Sequence, residues 1–229
     1  MTFRRWADLK STDFPPADPT RAVAVLALAA TEQHGPHLPL GTDFMIAEGM
    51  LVEVERLCPA SLDLYVLPVQ DIGKSSEHAA FPGTLSFSPQ TMLAMLADMT
   101  RWIARAGFRK MVFVSSHGGN AEVMALAMQE ARETHGMIAG QCSWRRFGRP
   151  EGLFSARENT HGIHGGDYET SLMLHFAPEL VDMSKAIDFV AKSEMIAQEN
   201  AALRLTGPLS MGWMAEDNNP AGVVGEAHL

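Results

Sequence analysis

Glu32, His34, His37 and Asp43 fall within twelve residues of one segment, Thr31-Glu-Gln-His-Gly-Pro-His-Leu-Pro-Leu-Gly-Thr-Asp43. Pro36 and Pro39 stiffen that segment. A dication needs ligands that converge at little entropic cost, and a rigid loop supplies them. Glu32 and His34 are two residues apart, so in extended chain they project to the same side. Asp43 carries two oxygens and can bridge two ions about 3.5–4 Å apart. The plain alternative is a polar turn whose Asp43 caps the next helix. A second cluster, His117-Gly-Gly-Asn120, follows an apolar stretch. Its glycines permit close backbone approach. His117 is there a metal ligand, a catalytic base or a turn residue, with Asn120 as a helix cap. The third cluster is His161-Gly-Ile-His164-Gly-Gly-Asp167-Tyr-Glu169-Thr-Ser171. Glu169 falls in the first turns of a helix, where the macrodipole alone already favours a carboxylate. His164, in a glycine-flanked loop, can reach a cleft as an acid or base.

Composition narrows the chemistry. The chain has 229 residues, nine histidines, two cysteines and a formal net charge of −9. Two cysteines exclude a disulfide framework and a Cys-rich zinc module. The acidity, with a pI near 5.4, argues against partners held by a basic surface, nucleic acid and anionic membrane alike. The N-terminus has Arg4 and Arg5 with no apolar stretch behind them, and the longest apolar run is Ala22 to Ala30. Neither is a leader nor a membrane span. The expected location is the cytoplasm. Histidines paired with carboxylates are how such a chain holds catalytic metals.

Strands and helices alternate around these clusters. Ala22–Ala30 reads as a strand buried on both faces. Helical spacing runs from Phe44 to Leu57, with Asp43 as N-cap. Leu64–Pro68 reads as a strand. Ser88 caps a helix that starts at Pro89 and stops at Gly107. Met111–Ser115 is a strand, a helix follows from Ala121 to His135, and Met137–Cys142 is a fourth strand. Residues 143–162 read as a long loop, and 166–176 as another helix. The alternation implies βαβ units and a mainly parallel sheet, with functional loops beyond the strands' carboxyl ends. One domain, residues 1–229, is expected.

The three clusters, in this order, resemble the creatininase (creatinine amidohydrolase) family. The intervening Gly73-Lys-Ser-Ser-Glu-His-Ala-Ala-Phe-Pro-Gly-Thr84 does so too. The resemblance covers roughly residues 20–176, with an echo at Gly222-Val-Val-Gly225. It implies a three-layer α/β/α domain with two divalent metals that cleaves amide, cyclic amide or formamide C–N bonds. Matched residue by residue, Glu32 is a ligand of one metal and His34 of the other. Asp43 is the bridging carboxylate, and His117 joins the Glu32 side. His164 is the catalytic proton carrier. Gly119 stands where creatininase itself has a glutamate ligand, so Glu169 is the candidate replacement. Gly118 and Thr160 replace a tyrosine and a tryptophan that shape the creatinine pocket, which turns the expectation away from creatinine. Related branches include deformylases and a peptidase of peptide-cofactor maturation. Ser75, Ser76, His78, Gly118 and Trp144 are expected to line the substrate pocket.

The expected chemistry follows from that ligand set. Two ions sharing Asp43 share a water and lower its pKa from about 15.7 toward 7. The resulting bridging hydroxide attacks the carbonyl, and one ion stabilises the oxyanion. The imidazole of His164 protonates the leaving amine. Carboxylate and imidazole ligands suit Zn, with Mn or Fe as alternatives. The resemblance also implies a homo-oligomer, often a hexamer, acting on a small-molecule amide. Two other functions fit the residues: a non-catalytic oligomer with a structural metal site, and a two-metal phosphoesterase.

Overall fold

The structure, a computed structural model, describes residues 3–207 and 209–228. These form two compact units. Of the described residues, the first comprises 3–30, 47–74 and 85–147, and the second 31–46, 75–84, 148–207 and 209–228.

The first unit is built on a parallel five-stranded sheet. Its strands are β1 (Phe3–Arg5), β2 (Ala22–Leu28), β3 (Asp63–Val66), β4 (Lys110–Ser115) and β5 (Ile138–Ser143), in the spatial order β1-β3-β2-β4-β5. Helix α1 (Thr42–Leu57) connects β2 to β3, α2 (Pro89–Arg105) connects β3 to β4, and α3 (Ala121–His135) connects β4 to β5. Crossovers between parallel strands are right-handed. The step from β2 to β3 runs one way along the sheet and the next two steps run the other way, so α1 lies on one face and α2 with α3 on the opposite face. The fold is a three-layer α/β/α sandwich.

Local chemistry sets the element ends. Ser88 Oγ accepts from the Thr91 N–H at 3.2 Å, and Pro89 opens α2. Gly136, left-handed at φ +63°, closes α3. Between the sheet and α2/α3 lie Leu26, Phe113, Met92, Leu96, Ile103, Phe108 and Met111, all at most 2% exposed. Each contributes about 1.5–3 kcal/mol by leaving water.

The order reversal around β2 places a topological switch between β2 and β4, where ligand crevices open in sheets of this kind. Their carboxyl ends are stapled together by Asn120. Its Nδ2 donates to the Ala29 carbonyl at 3.0 Å, and its Oδ1 accepts from the Lys74 N–H at 3.0 Å. Asn120 makes no side-chain cap to α3, so its role is to tie strand ends rather than to cap. A Cβ on Gly73 would stand 2.6 Å from the Ala29 carbonyl oxygen, which explains a glycine there.

The second unit contains the loop 31–41, the first turn of α1, a 3-10 turn at Ser76–His78, and helices α4 (Ala156–His161), α5 (Asp167–Phe176), α6 (Lys192–Glu199) and α7 (Ala215–Asn218). Strand β6 (Asp188–Phe189) pairs antiparallel with β7 (Gly225–Glu226). Ala186, Phe189, Val223 and Ala227 form its small apolar cluster. The buried carboxylate of Glu158 accepts from the Tyr168 N–H at 3.3 Å and the Glu226 N–H at 2.9 Å, joining α4, α5 and β7.

Two expectations are revised. Residues 143–162 contain the 3-10 turn Trp144–Phe147 and helix α4. Six residues are too few to show a period, and the inward face of α4 carries a glutamate instead of an apolar residue. Asp43 lies inside the first turn of α1 and is not its N-cap. Among the described residues, no helix is long and apolar enough to cross a membrane.

Candidate metal centre

The loop after β2 folds back on itself within the second unit. The Glu32 N–H donates to the Leu40 carbonyl at 3.0 Å, and His34 pairs with Leu38 in an antiparallel bridge. Gly35, at φ +70°, makes the turn, and Val223 packs where its Cβ would be, at 2.6 Å. The result is a rigid hairpin with Glu32 and His34 turned inward, 0% and 1% exposed. The Thr42 hydroxyl donates to the Pro39 carbonyl at 2.7 Å, and Asp43 follows, 1% exposed. Glu169 comes from the first turn of α5 and accepts from the Gly165 N–H at 2.5 Å.

Hydrogen-bond directions decide which ring nitrogens carry lone pairs. His34 Nδ1 stands 3.1 Å from the Glu32 backbone carbonyl, so it is the donor. Its Nε2 is therefore an acceptor. This Nε2 is buried with no hydrogen-bond partner among the described residues. It faces Asp43 Oδ2 at 3.9 Å and Glu169 Oε2 at 3.8 Å. Burial, reinforced by the neighbouring His164, pushes the His34 pKa well below the usual 6.5 against the pull of Glu32. A neutral lone pair facing two carboxylate oxygens in a dry interior is unfavourable without a cation among them. The donor set of one imidazole and two carboxylates is what zinc or manganese accepts. Among the described residues of the second unit, two triads have ligand atoms mutually within 4.8 Å, His34–Asp43–Glu169 and Glu32–His34–His164.

His164 is fixed in the same way. Its Nε2 donates to the Gln33 backbone carbonyl at 2.8 Å, leaving Nδ1 as acceptor, 3.7 Å from Glu32 Oε1. The His34 and His78 rings lie 4.2 and 4.3 Å from the His164 ring, so three imidazoles surround Glu32. His78 Nε2 stands 3.3 Å from Glu32 Oε1. In the first unit, His117 leaves the end of β4 with its N–H on Ser115 Oγ at 3.0 Å. Its Nε2 donates to the Lys74 carbonyl at 3.0 Å, which leaves Nδ1 as the acceptor.

The structure thus brings Glu32, His34, Asp43, His164 and Glu169 together with His78. Of the expected pocket residues, Ser75 is buried, Ser76 is exposed, and a Cβ on exposed Gly118 would meet open space. Trp144 is buried, and its indole Nε1 has no hydrogen-bond partner among the described residues. His37 belongs to neither triad. Its Nε2 meets Thr170 Oγ1 at 3.1 Å, its ring stacks on Phe189, and its carbonyl accepts from the Asp182 N–H. Burial lowers its pKa.

Two buried residues that build the site's surroundings escape sequence reading. Gln33 sits between two ligand candidates and bonds both His78 and Gly222. Its signal was its place inside the most specific string, where it looked like filler. Glu158 gave no signal, because its partners are backbone groups distant in sequence.

The fold and this donor set define a member of the creatininase family. The family model described as creatinine amidohydrolase matches residues 7–229, and the chain belongs to that family. A mycofactocin precursor peptide peptidase from Mycolicibacterium smegmatis is 35% identical over 159 residues, covering 69% of this chain and 59% of that relative. A creatinine amidohydrolase from Pseudomonas putida is 29% identical over 186 residues, covering 72% and 68%. The match thus spans about six-tenths of the length of the mycobacterial relatives. A solved creatininase structure shares the fold with a TM-score of 0.71 at 24% identity, covering 98% of this chain and 87% of that one.

Proposed function

We propose that the chain, residues 1–229, acts as one dinuclear metal-dependent amidohydrolase that cleaves the C–N bond of a small amide, cyclic amide or formamide. The observation that carries this reading is the bare Nε2 of His34 facing the Asp43 and Glu169 carboxylates. Asp43, His34 and Glu169 would hold one ion. Glu32, sharing Asp43, would hold the second, and the sequence resemblance assigns His117 to that side. Two divalent ions, when bound, supply a hydroxide at neutral pH and polarise the amide carbonyl.

The protein's own groups do the rest. His164 has its Nε2–H spent on the Gln33 carbonyl, so Nδ1 is the atom that takes up a proton and returns it to the leaving amine. Burial of Glu32, His34 and Asp43 excludes bulk water and strengthens each charge interaction. Ser75, Ser76, His78, Gly118 and Trp144 were expected at the pocket, and the open space at Gly118 suits a substrate bulkier than one enclosed by a tyrosine. The names of the relatives, a peptide peptidase and a creatinine amidohydrolase, both denote amide cleavage and support this class. Solved creatininase structures include a zinc–zinc form and a manganese form, which supports Zn or Mn here. A cytoplasmic homo-oligomer is part of the same reading.

The test is a hydrolysis panel of lactams, formamides and short peptides, with phosphate esters alongside, using protein loaded with Zn or Mn. Amine release from at least one amide supports the reading. Turnover of phosphate esters alone, or of nothing, overturns it.

A further inference from the structure

One glutamine dictates where the protons sit around the first metal ligand. Gln33 is 6% exposed, and its side-chain oxygen accepts from the Gly35 N–H at 3.0 Å. Its amino group therefore points the other way, toward the Gly222 carbonyl at 2.6 Å and His78 Nδ1 at 2.8 Å. The reversed amide would set oxygen against the Gly222 carbonyl and N–H against the Gly35 N–H, two repulsions in a dry interior. Both amino protons are thus committed to their two shortest contacts. His78 Nδ1 must accept, so a neutral His78 carries its proton on Nε2. The Nε2 atom lies 3.3 Å from Glu32 Oε1, an ion-pair approach, and Glu32 is 0% exposed.

Gly222 makes the arrangement possible. It adopts φ +76°, and a Cβ there would stand 2.6–2.7 Å from all three terminal atoms of the Gln33 amide. Residue 33 also orients His164 through its backbone carbonyl.

We propose that Gln33 and His78 are positioning residues. Gln33 fixes the His78 tautomer, and the His78 Nε2–H holds the Glu32 carboxylate in the orientation in which it ligates its ion. This assigns His78 behind a ligand rather than on the substrate, since Gln33 holds its Nδ1 and its Nε2 faces Glu32 Oε1. The inference rests on the metal-site reading above, but its first test needs no turnover.

In the zinc-loaded full chain with 15N-labelled histidine, long-range 1H–15N spectra report each ring's tautomer. His78 is expected as the Nε2–H form, and a His78 protonated on Nδ1 overturns the proposal. Chelator competition on loaded protein is the second readout. Removing an orienting partner weakens a metal by about 10–100-fold. Accordingly, His78→Leu is expected to weaken one of the two zinc ions by that factor and leave the other unchanged, with His78→Gln, which retains a donor, recovering most of the loss. Equal weakening of both ions, no weakening, or no recovery in His78→Gln counts against it. If His78→Leu fails to fold, the wild-type tautomer and His78→Gln still decide.

Discussion

His34 Nε2 lies 3.8 Å from Glu169 Oε2, with the imidazole's own proton committed to the Glu32 carbonyl. An acceptor thus faces an acceptor in a buried site. In the proposed reading Glu169 takes the place of the glutamate that the creatininase resemblance implies at the position of Gly119. Glu169→Gln is therefore expected to lower the metal content from two ions per chain to one while the fold is retained. Elemental analysis with far-UV circular dichroism checks it. Retention of two ions at wild-type affinity would remove Glu169 from the ligand set.

His164 is assigned proton transfer and no share of the metal. His164→Ala should keep both ions and lose about 10²–10⁴-fold in kcat, the usual contribution of a positioned acid or base. Loss of an ion in this variant would instead make Nδ1 a ligand, as its 3.7 Å approach to Glu32 allows.

The metal-stripped protein should lose stability in acid. His34 and His37 both have pKa values pushed below the usual 6.5 by burial. The folded state then binds fewer protons than the unfolded chain as pH falls. Their contribution is fully present above about pH 6.5 and is lost as pH drops through the folded values. Urea midpoints of the metal-free chain should fall from pH 7.5 to about pH 5.5, and less steeply in His37→Asn. A flat or rising profile would contradict this assignment.

Glycine positions separate close contacts from open ones. Gly35 and Gly222 have φ of +70° and +76° and no room for a Cβ. Gly35→Ala and Gly222→Ala should each destabilise by about 1–3 kcal/mol. Gly118 has nothing within 4 Å of its Cβ position, so Gly118→Ala should stay within about 0.5 kcal/mol. Thermal melts of the three variants provide the comparison.

The sheet was legible because its strands are short apolar runs closed by turn residues, as in Ala22–Leu28 and Lys110–Ser115, and because α2 and α3 carry clear caps. Strand β1 was not, since three residues at an edge show no period. The chain after Pro178 was opaque for the same reason: its two-residue strands and four-residue helix exist through tertiary contacts such as the His164–Val224 bridge. In the site, Glu32, His34 and Asp43 stood out because unusual residues crowd one rigid loop. The tautomers of His34, His78, His117 and His164 were beyond the sequence, because each is set by a carbonyl or amide that folding brings near the ring.

The central claim is that two ions held by these residues are required for amide cleavage. The direct measurement is amine release from a substrate amide as metal-free protein is titrated with Mn or Zn. The account predicts little turnover up to one equivalent and a rise that completes at two. Full activity at one equivalent, or two tightly bound ions with no amide hydrolysed, would contradict it.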